Sequence, residues 1–248
     1  NLVMIGVDTL RADWIGKKRD GNSITPNIDA LKEKSINFEN CYGPIARTAP
    51  SLVSLMTGLS PWSHGIKDNF VNAEQLTWDS TPFPMQLKNR GYNTAVISDW
   101  CGSDFGKFDF GFDEQDLPDD QWNIKYFIRQ GPKDIRLFLS LFLDNKIGQL
   151  CIPEIFYLGG VPKGQYLEEK TIQSINKLQK KSRPFFLNVF FSTTHPPFGS
   201  DYPYYAKYSN PDYDGESKYC MSKLTDPMEI IKSQREPKEA FDLEQILD

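Results

Sequence analysis

The residues LVMIGV, 2–7, form an uninterrupted apolar run that ends at Asp8. A strand covered on both faces in a parallel sheet gives such a run, whereas a half-exposed strand alternates. TPNIDALKEKS follows, with Thr25 placed to cap a helix and Pro26 at its first position. INFENCY, 36–42, reads as a second strand. ARTAPSLVSLMTG, 46–58, reads as a tight bend running into a short helix, with Pro50 in the first turn and Gly58 at the end. A helix near 82–90, closed by Gly91, leads to the strand NTAVIS at 93–98. A helix over about 165–181 sets Leu167, Thr171, Ile175 and Leu178 on one face. FFLNVFF, 185–191, is another buried strand. Strands alternating with helices predict a layered α/β sheet.

Two regions fit this scheme poorly. Residues 118–163 read as an insertion or lid over the sheet's edge or mouth, with LFLSLFLD at 137–144 as a buried helix within it. That stretch is far shorter than the ~20 apolar residues a helix needs to cross a bilayer, so no membrane span is expected. Residues 199–248 read as an irregular segment, rich in Tyr, Pro, Asp and Lys up to about 240.

The chain's 248 residues suffice for one large α/β domain or two small ones. Its net charge of −5 argues against a nucleic-acid partner, because neutralising phosphates needs clustered Lys and Arg. Cys41, Cys101, Cys151 and Cys220 are scattered without a CxxC pair, which speaks against a zinc ribbon or a disulfide framework. The chain starts at Asn1 and not at Met, so a removed leader segment is compatible with it. Compartment and oligomeric state stay open.

Ligands of open α/β sheets bind beyond the carboxyl ends of the strands. Asp8, Thr48 and His195 are all expected there. Thr48 admits two readings at this point: it caps the helix that follows, or it attacks an anionic ester bound at the helix N-terminus. No GxGxxG or P-loop follows the first strand, which sets aside a nucleotide-cofactor domain.

The order and spacing of NLVMIGVDTLRADWIG, TPNIDALKEKSINFENCYG, TAPSLVSLMTGLSPWSHGI and GYNTAVI resemble the sulfatase branch of the alkaline phosphatase superfamily. FFLNVFFSTTHPPF resembles that family's later strand and pocket histidine. The resemblance implies an alkaline-phosphatase-like three-layer α/β/α sandwich with a mostly parallel sheet, incomplete in this chain. Residues 1–198 would be the N-terminal portion of the catalytic domain, and 199–248 would lead to a missing C-terminal part. It implies a metal-dependent hydrolase of a small sulfuric or phosphoric ester, with one divalent ion (Ca, Mg, Mn or Zn). Asp8 matches the aspartate that binds this metal. Thr48 matches the nucleophile, which also touches the metal. Asn69, 21 residues later, matches an asparagine that holds the phosphoryl or sulfuryl oxygens. His195 matches a contact to substrate or leaving group, and His64 a residue that supports the loop. Arg11 and Arg47 either salt-bridge locally or face the anion.

Three departures from the family pattern change the picture. Thr48 stands where sulfatases carry the Cys or Ser that becomes formylglycine, and Leu52 where the required arginine stands. No formylglycine is therefore expected, and the unmodified threonine resembles phosphodiesterase and phosphoryl-transfer relatives, favouring a phosphate ester or diester. SDWC, 98–101, replaces a G-K-W-H segment, so Asp99 and Cys101 remove positive charge. Asp99 either pairs with a cationic leaving group or points elsewhere. The later Asp-His metal ligands are absent, and a divalent cation takes about four to eight ligands. The chain by itself is accordingly expected to be inactive. The alternative reading is a non-catalytic domain that binds an anionic ligand or a protein partner.

Overall fold

The computed structural model describes residues 1–69, 79–118, 146–151, 164–195, 204–208 and 212. In chain order its elements are β1 Leu2–Val7, β2 Lys18–Arg19, β3 Asn22–Ser23, α1 Pro26–Lys32, α2 Thr48–Thr57, α3 Pro61–His64, α4 Phe83–Asn89 and β4 Asn93–Ser98. A 3-10 turn, Trp100–Ser103, then leads into α5 Asp104–Lys107, followed by β5 Glu114–Asp116, α6 Lys146–Cys151, α7 Gly164–Gln179, β6 Phe185–Phe191 and α8 Tyr204–Lys207. The expected insertion at 118–163 lies outside the described residues except for Pro118 and α6, and LFLSLFLD lies wholly outside them. So does the expected irregular segment at 199–248, apart from 204–208 and 212.

The chain divides into two compact units. The first, Asn1–Asp8, Glu39–Gln121 and Tyr166–Ser192, carries a sheet of order β1-β6-β4-β5 with every pairing parallel. β6 pairs with β1 from Leu2↔Phe186 to Val7↔Phe191, and with β4 from Asn93↔Phe185 to Ser98↔Phe190. This register ends three strands together, so Asp8, Asp99 and Ser192 all stand just past one rim of the sheet.

Side chains alternate across the central strands, as the two-residue period of a strand requires. Phe186 and Phe190 of β6 join Val96 of β4 under Ala49, Leu52, Val53 and Met56 of α2 and Leu87 of α4. Phe185, Leu187 and Val189 join Ala95 and Ile97 on the opposite face, under Leu167 and Leu178 of α7. Helices thus cover both faces, and the three-layer α/β/α arrangement expected from the sequence is present with its parallel sheet. After β4 the chain folds back through a phenylalanine cluster absent from the sequence reading. Phe105 lies edge-on to Phe110, Phe112 and Phe190, with ring centroids 6.1, 6.4 and 5.8 Å away.

Two expectations are corrected. β1 forms, but it is not covered on both faces: Leu2, Val3 and Ile5 are exposed, Ile5 by 65%. It is the outer strand among the described residues, flanked by β6 alone. INFENCY alternates as a strand should, yet forms none, and Phe38 is 78% exposed. A strand is held by ladder hydrogen bonds to a neighbour, and none of the described strands pairs with 36–42.

The second unit comprises Thr9–Phe38, Trp122–Gln165 and Thr193–Asp248. Within it, β2 and β3 form a hairpin over Asp20-Gly21, both at positive φ, the Asp-Gly signature of a tight two-residue turn. α1 starts with Pro26 at its first position, as expected. Thr25 is its N-cap residue but makes no capping bond. Its hydroxyl instead donates to Asp29 Oδ1 at 3.0 Å and accepts from the Gly16 N–H.

Candidate active site

Asp8 is fixed by the sheet itself, since its N–H donates to the Phe191 carbonyl at 2.8 Å and extends the β1–β6 ladder by one bond. Thr48 arrives from a different element. α2 begins at Thr48, with Arg47 as the N-cap residue in extended conformation, one position earlier than a capping threonine would set it. The hydroxyl therefore does not cap. It donates to Asp8 Oδ2 at 3.2 Å, across 40 residues of chain. Ala49, Leu52, Val53 and Met56 are buried beneath it and anchor the helix. Leu52, at the position of the family's arginine, is part of this apolar face.

The cap comes instead from Asn69, whose Oδ1 accepts from the Ala49 N–H at 2.9 Å. The first turn of a helix leaves its N–H groups free for an anion, but here few remain. Ala49 bonds to Asn69, Pro50 has no N–H, and Ser51 donates to the Arg47 carbonyl at 3.2 Å. The helix N-terminus is a weaker anion site than the sequence suggested. With Oδ1 engaged, the amide Nδ2 is the part of Asn69 that is left to donate to a ligand.

His64 is 0% exposed. Its Nδ1 accepts from the Ile66 N–H at 3.2 Å, which leaves Nε2–H to donate to Ser54 Oγ at 3.0 Å. Burial lowers its pKa against the raising effect of backbone hydrogen bonds, and the ring stays neutral while it braces α2 against the loop. Both arginines left open by the sequence pair locally: Arg11 with Asp13 at 2.6 Å, and Arg47 Nε with Asp68 at 3.4 Å.

Asp99 is buried, and its Oδ2 accepts from the Ser192 N–H at 3.3 Å. The carboxylate is thus directed into the fold. Cys101, in the 3-10 turn, is 2% exposed. Its Sγ and a carboxylate oxygen of Asp8 lie within 4.8 Å of one another. Burial pushes the thiol well above its ordinary range, and the charges of Asp8 and Asp99 push in the same direction. Gly102 makes this placement possible. A Cβ there would fall 1.9 Å from Ser98 Oγ, so only glycine lets the turn press against the end of β4. The sequence reading saw in Cys101 only a lost histidine. The signal of its proximity was its place three residues past the end of a strand parallel to β1.

His195 stands at a bend four residues beyond β6 and is half-buried; it belongs to the second unit. Within the first unit, the structure brings together Asp8, Thr48 and Cys101, with Asn69 behind Thr48. The 3.2 Å between the two oxygens suits two ligands of a single cation, whose oxygen ligands sit about 2.0–2.6 Å from it.

Comparison with known proteins bears on the family and the fold. A family model described as Sulfatase matches residues 1–238. The N-acetylglucosamine-6-O-sulfatase of Bacteroides thetaiotaomicron is 38% identical over 81 residues, 32% of this chain and 14% of the relative. The ulvan-active sulfatase of Formosa agariphila is 27% identical over 200 residues, 81% of this chain and 36% of the relative. Among solved structures, the phosphonate monoester hydrolase of Agrobacterium radiobacter shares the fold, with a TM-score of 0.55 at 19% identity over 87% of this chain and 45% of that one. The chain spans less than half the length of these relatives. With a family match over nearly all of its residues, and the motif residues gathered at one rim of the sheet, the chain belongs to the sulfatase family.

Proposed function

We propose that this chain carries the nucleophile side of an ester hydrolase acting on a small sulfuric or phosphoric ester, with a phosphate ester or diester favoured by the unmodified Thr48. The observation that carries this reading is the hydrogen bond from Thr48 to Asp8 at the carboxyl rim of the sheet. Asp8 and Thr48 would hold a divalent cation (Ca, Mg, Mn or Zn), and further ligands must complete its shell. When bound, such an ion supplies a Lewis acid that lowers the hydroxyl pKa and neutralises ester oxygens.

The chain's own groups supply the rest. With its pKa lowered in this way, the Thr48 hydroxyl loses its proton to water, and an Oγ1 lone pair attacks the ester. Oγ1 bonds to phosphorus or sulfur as the bond to the leaving oxygen breaks, and water then hydrolyses the threonine ester. Asn69 Nδ2 donates to a non-bridging oxygen. From the resemblance, His195 is a contact to substrate or leaving group.

Two of the relatives named above are, by their names, an N-acetylglucosamine-6-O-sulfatase and an ulvan-active sulfatase, so aryl sulfate belongs in the assay beside aryl phosphate and a phosphodiester. Thr48→Ala in the full-length protein is expected to abolish turnover of whichever ester is accepted. Turnover equal to wild type overturns the assignment. Peptide mass spectrometry of residues 46–58 is expected to show unmodified threonine.

A further inference from the structure

We propose that Cys101 is a thiolate ligand to the divalent cation held at Asp8, so that the site prefers a thiophilic, zinc-like ion to calcium or magnesium. This rests on the reading of Asp8 as a metal ligand and deepens it. β1 and β4 both flank β6, and their parallel register brings Asp8 and the turn after β4 to the same rim. There, Cys101 Sγ lies within 4.8 Å of an Asp8 oxygen. An oxygen and a sulfur sharing one tetrahedral zinc ion, at bond lengths of about 2.1 and 2.3 Å, stand about 3.6 Å apart. A small closure therefore brings both onto one ion, and Thr48 Oγ1 is already within 3.2 Å of the same carboxylate.

Charge and burial favour the same outcome. The positive residues that the family pattern places in this segment are absent, and Asp99 stands two residues from the thiol with its carboxylate inside the fold. A cation between Asp8 and Cys101 would meet two anionic donors and a third negative charge close by. Gly102 packs the turn against Ser98 at the end of β4, and Cys101 is buried there. On ligation the S–H bond breaks, the proton passes to water, and the sulfur's electron pair forms the bond to the ion. Soft thiolate donors select zinc-like ions, whereas calcium and magnesium take oxygen.

The test uses the full-length protein with Cys41, Cys151 and Cys220 replaced by Ser, titrated with cobalt(II). The expected result is one ion per chain, with a near-ultraviolet thiolate-to-cobalt charge-transfer band that is lost in Cys101→Ser. Cobalt binding is expected to be lost in Asp8→Asn, and zinc, but not magnesium, is expected to displace the cobalt. Asp8-dependent cobalt binding without the band overturns the role of Cys101 and leaves the Asp8 reading standing. Cobalt binding that survives Asp8→Asn, or no cobalt binding at all, overturns both. If Cys101→Ser fails to fold, X-ray absorption of the zinc-loaded parent decides. One sulfur at about 2.3 Å supports the proposal, and a shell of oxygen and nitrogen alone sinks it.

Discussion

Thr48 Oγ1 lies 3.2 Å from Asp8 Oδ2, and the two residues come from separate layers of the fold: the end of a strand and the start of the helix that covers it. Nothing local in either segment creates this pairing. It follows from α2 burying Leu52, Val53 and Met56 against the sheet, which sets the first residue of the helix over the rim where β1 ends. If the hydroxyl is the attacking group, its presence matters more than its methyl. Thr48→Ser is expected to keep turnover within about tenfold of wild type, and Thr48→Ala to lower kcat by at least about 10³-fold. Melting temperatures of both variants should stay close to wild type, because only one half-exposed hydrogen bond changes. Equal kinetics for the two variants would show that the hydroxyl is a structural tie to Asp8.

Asn69 has two functions to separate, one for each end of its amide. Its Oδ1 caps Ala49, and a lost cap costs about 1 kcal/mol. Asn69→Asp keeps an acceptor for the Ala49 N–H but puts a negative oxygen where Nδ2 would meet the ester. The expected result is near-normal stability with kcat/KM reduced about 10²-fold or more. Asn69→Ala should lose both stability and turnover. Unaltered kinetics in Asn69→Asp would confine the residue to capping.

The central strands were legible because their side chains meet partners on both faces. FFLNVFF and NTAVIS each form over the expected residues. β1 was equally legible as a strand, but its burial was not, since an apolar run does not say how many neighbours the strand has. INFENCY carried the alternation of a strand and lacked the neighbour. Asp8, Thr48 and Asn69 were singled out by the family resemblance, and the residues alone left open whether Thr48 caps the helix. The answer depended on Asn69, a residue 20 positions beyond Ala49, taking the cap. Cys101 escaped because its meaning lies in a strand register that only the folded sheet supplies.

His64 should make the protein sensitive to mild acid. Burial holds its folded pKa below the ordinary value of 6.5, so the unfolded chain takes up a proton first as pH falls. Stability from this group is therefore complete above about pH 6.5 and declines as pH drops toward the folded value. Urea midpoints of wild type are expected to fall between pH 7.5 and pH 5 (pH values chosen to span roughly that window). His64→Gln should be less stable by about 1–3 kcal/mol at the upper pH, because the bonds to Ser54 and Ile66 are disturbed, and should show a flatter curve. A slope as steep in His64→Gln as in wild type would assign the acid sensitivity to another group.

Asp113 should act at lower pH and through the opposite kind of shift. Partial burial pushes its pKa up, but hydrogen bonds from Lys88 and from the Thr94 N–H and hydroxyl outweigh that and hold it below the ordinary carboxylate range. Lys88 Nζ is 2.7 Å away, and the two Thr94 donors are each at 3.1 Å. These bonds tie α4 and the start of β4 to the chain entering β5. The unfolded chain therefore binds the proton at a higher pH than the folded one. The stabilisation is complete above the ordinary pKa of about 3.9 and is lost as pH falls from there through the folded value. Asp113→Asn is expected to cost about 1 kcal/mol at neutral pH, a modest figure because the ion pair is partly solvated. The gap between variant and wild type should close below the folded pKa, where wild type is protonated too. Chemical denaturation of both proteins across the acid range reads this directly, and a gap that persists when both carboxyl and amide are neutral would mean that shape, and not charge, holds the junction.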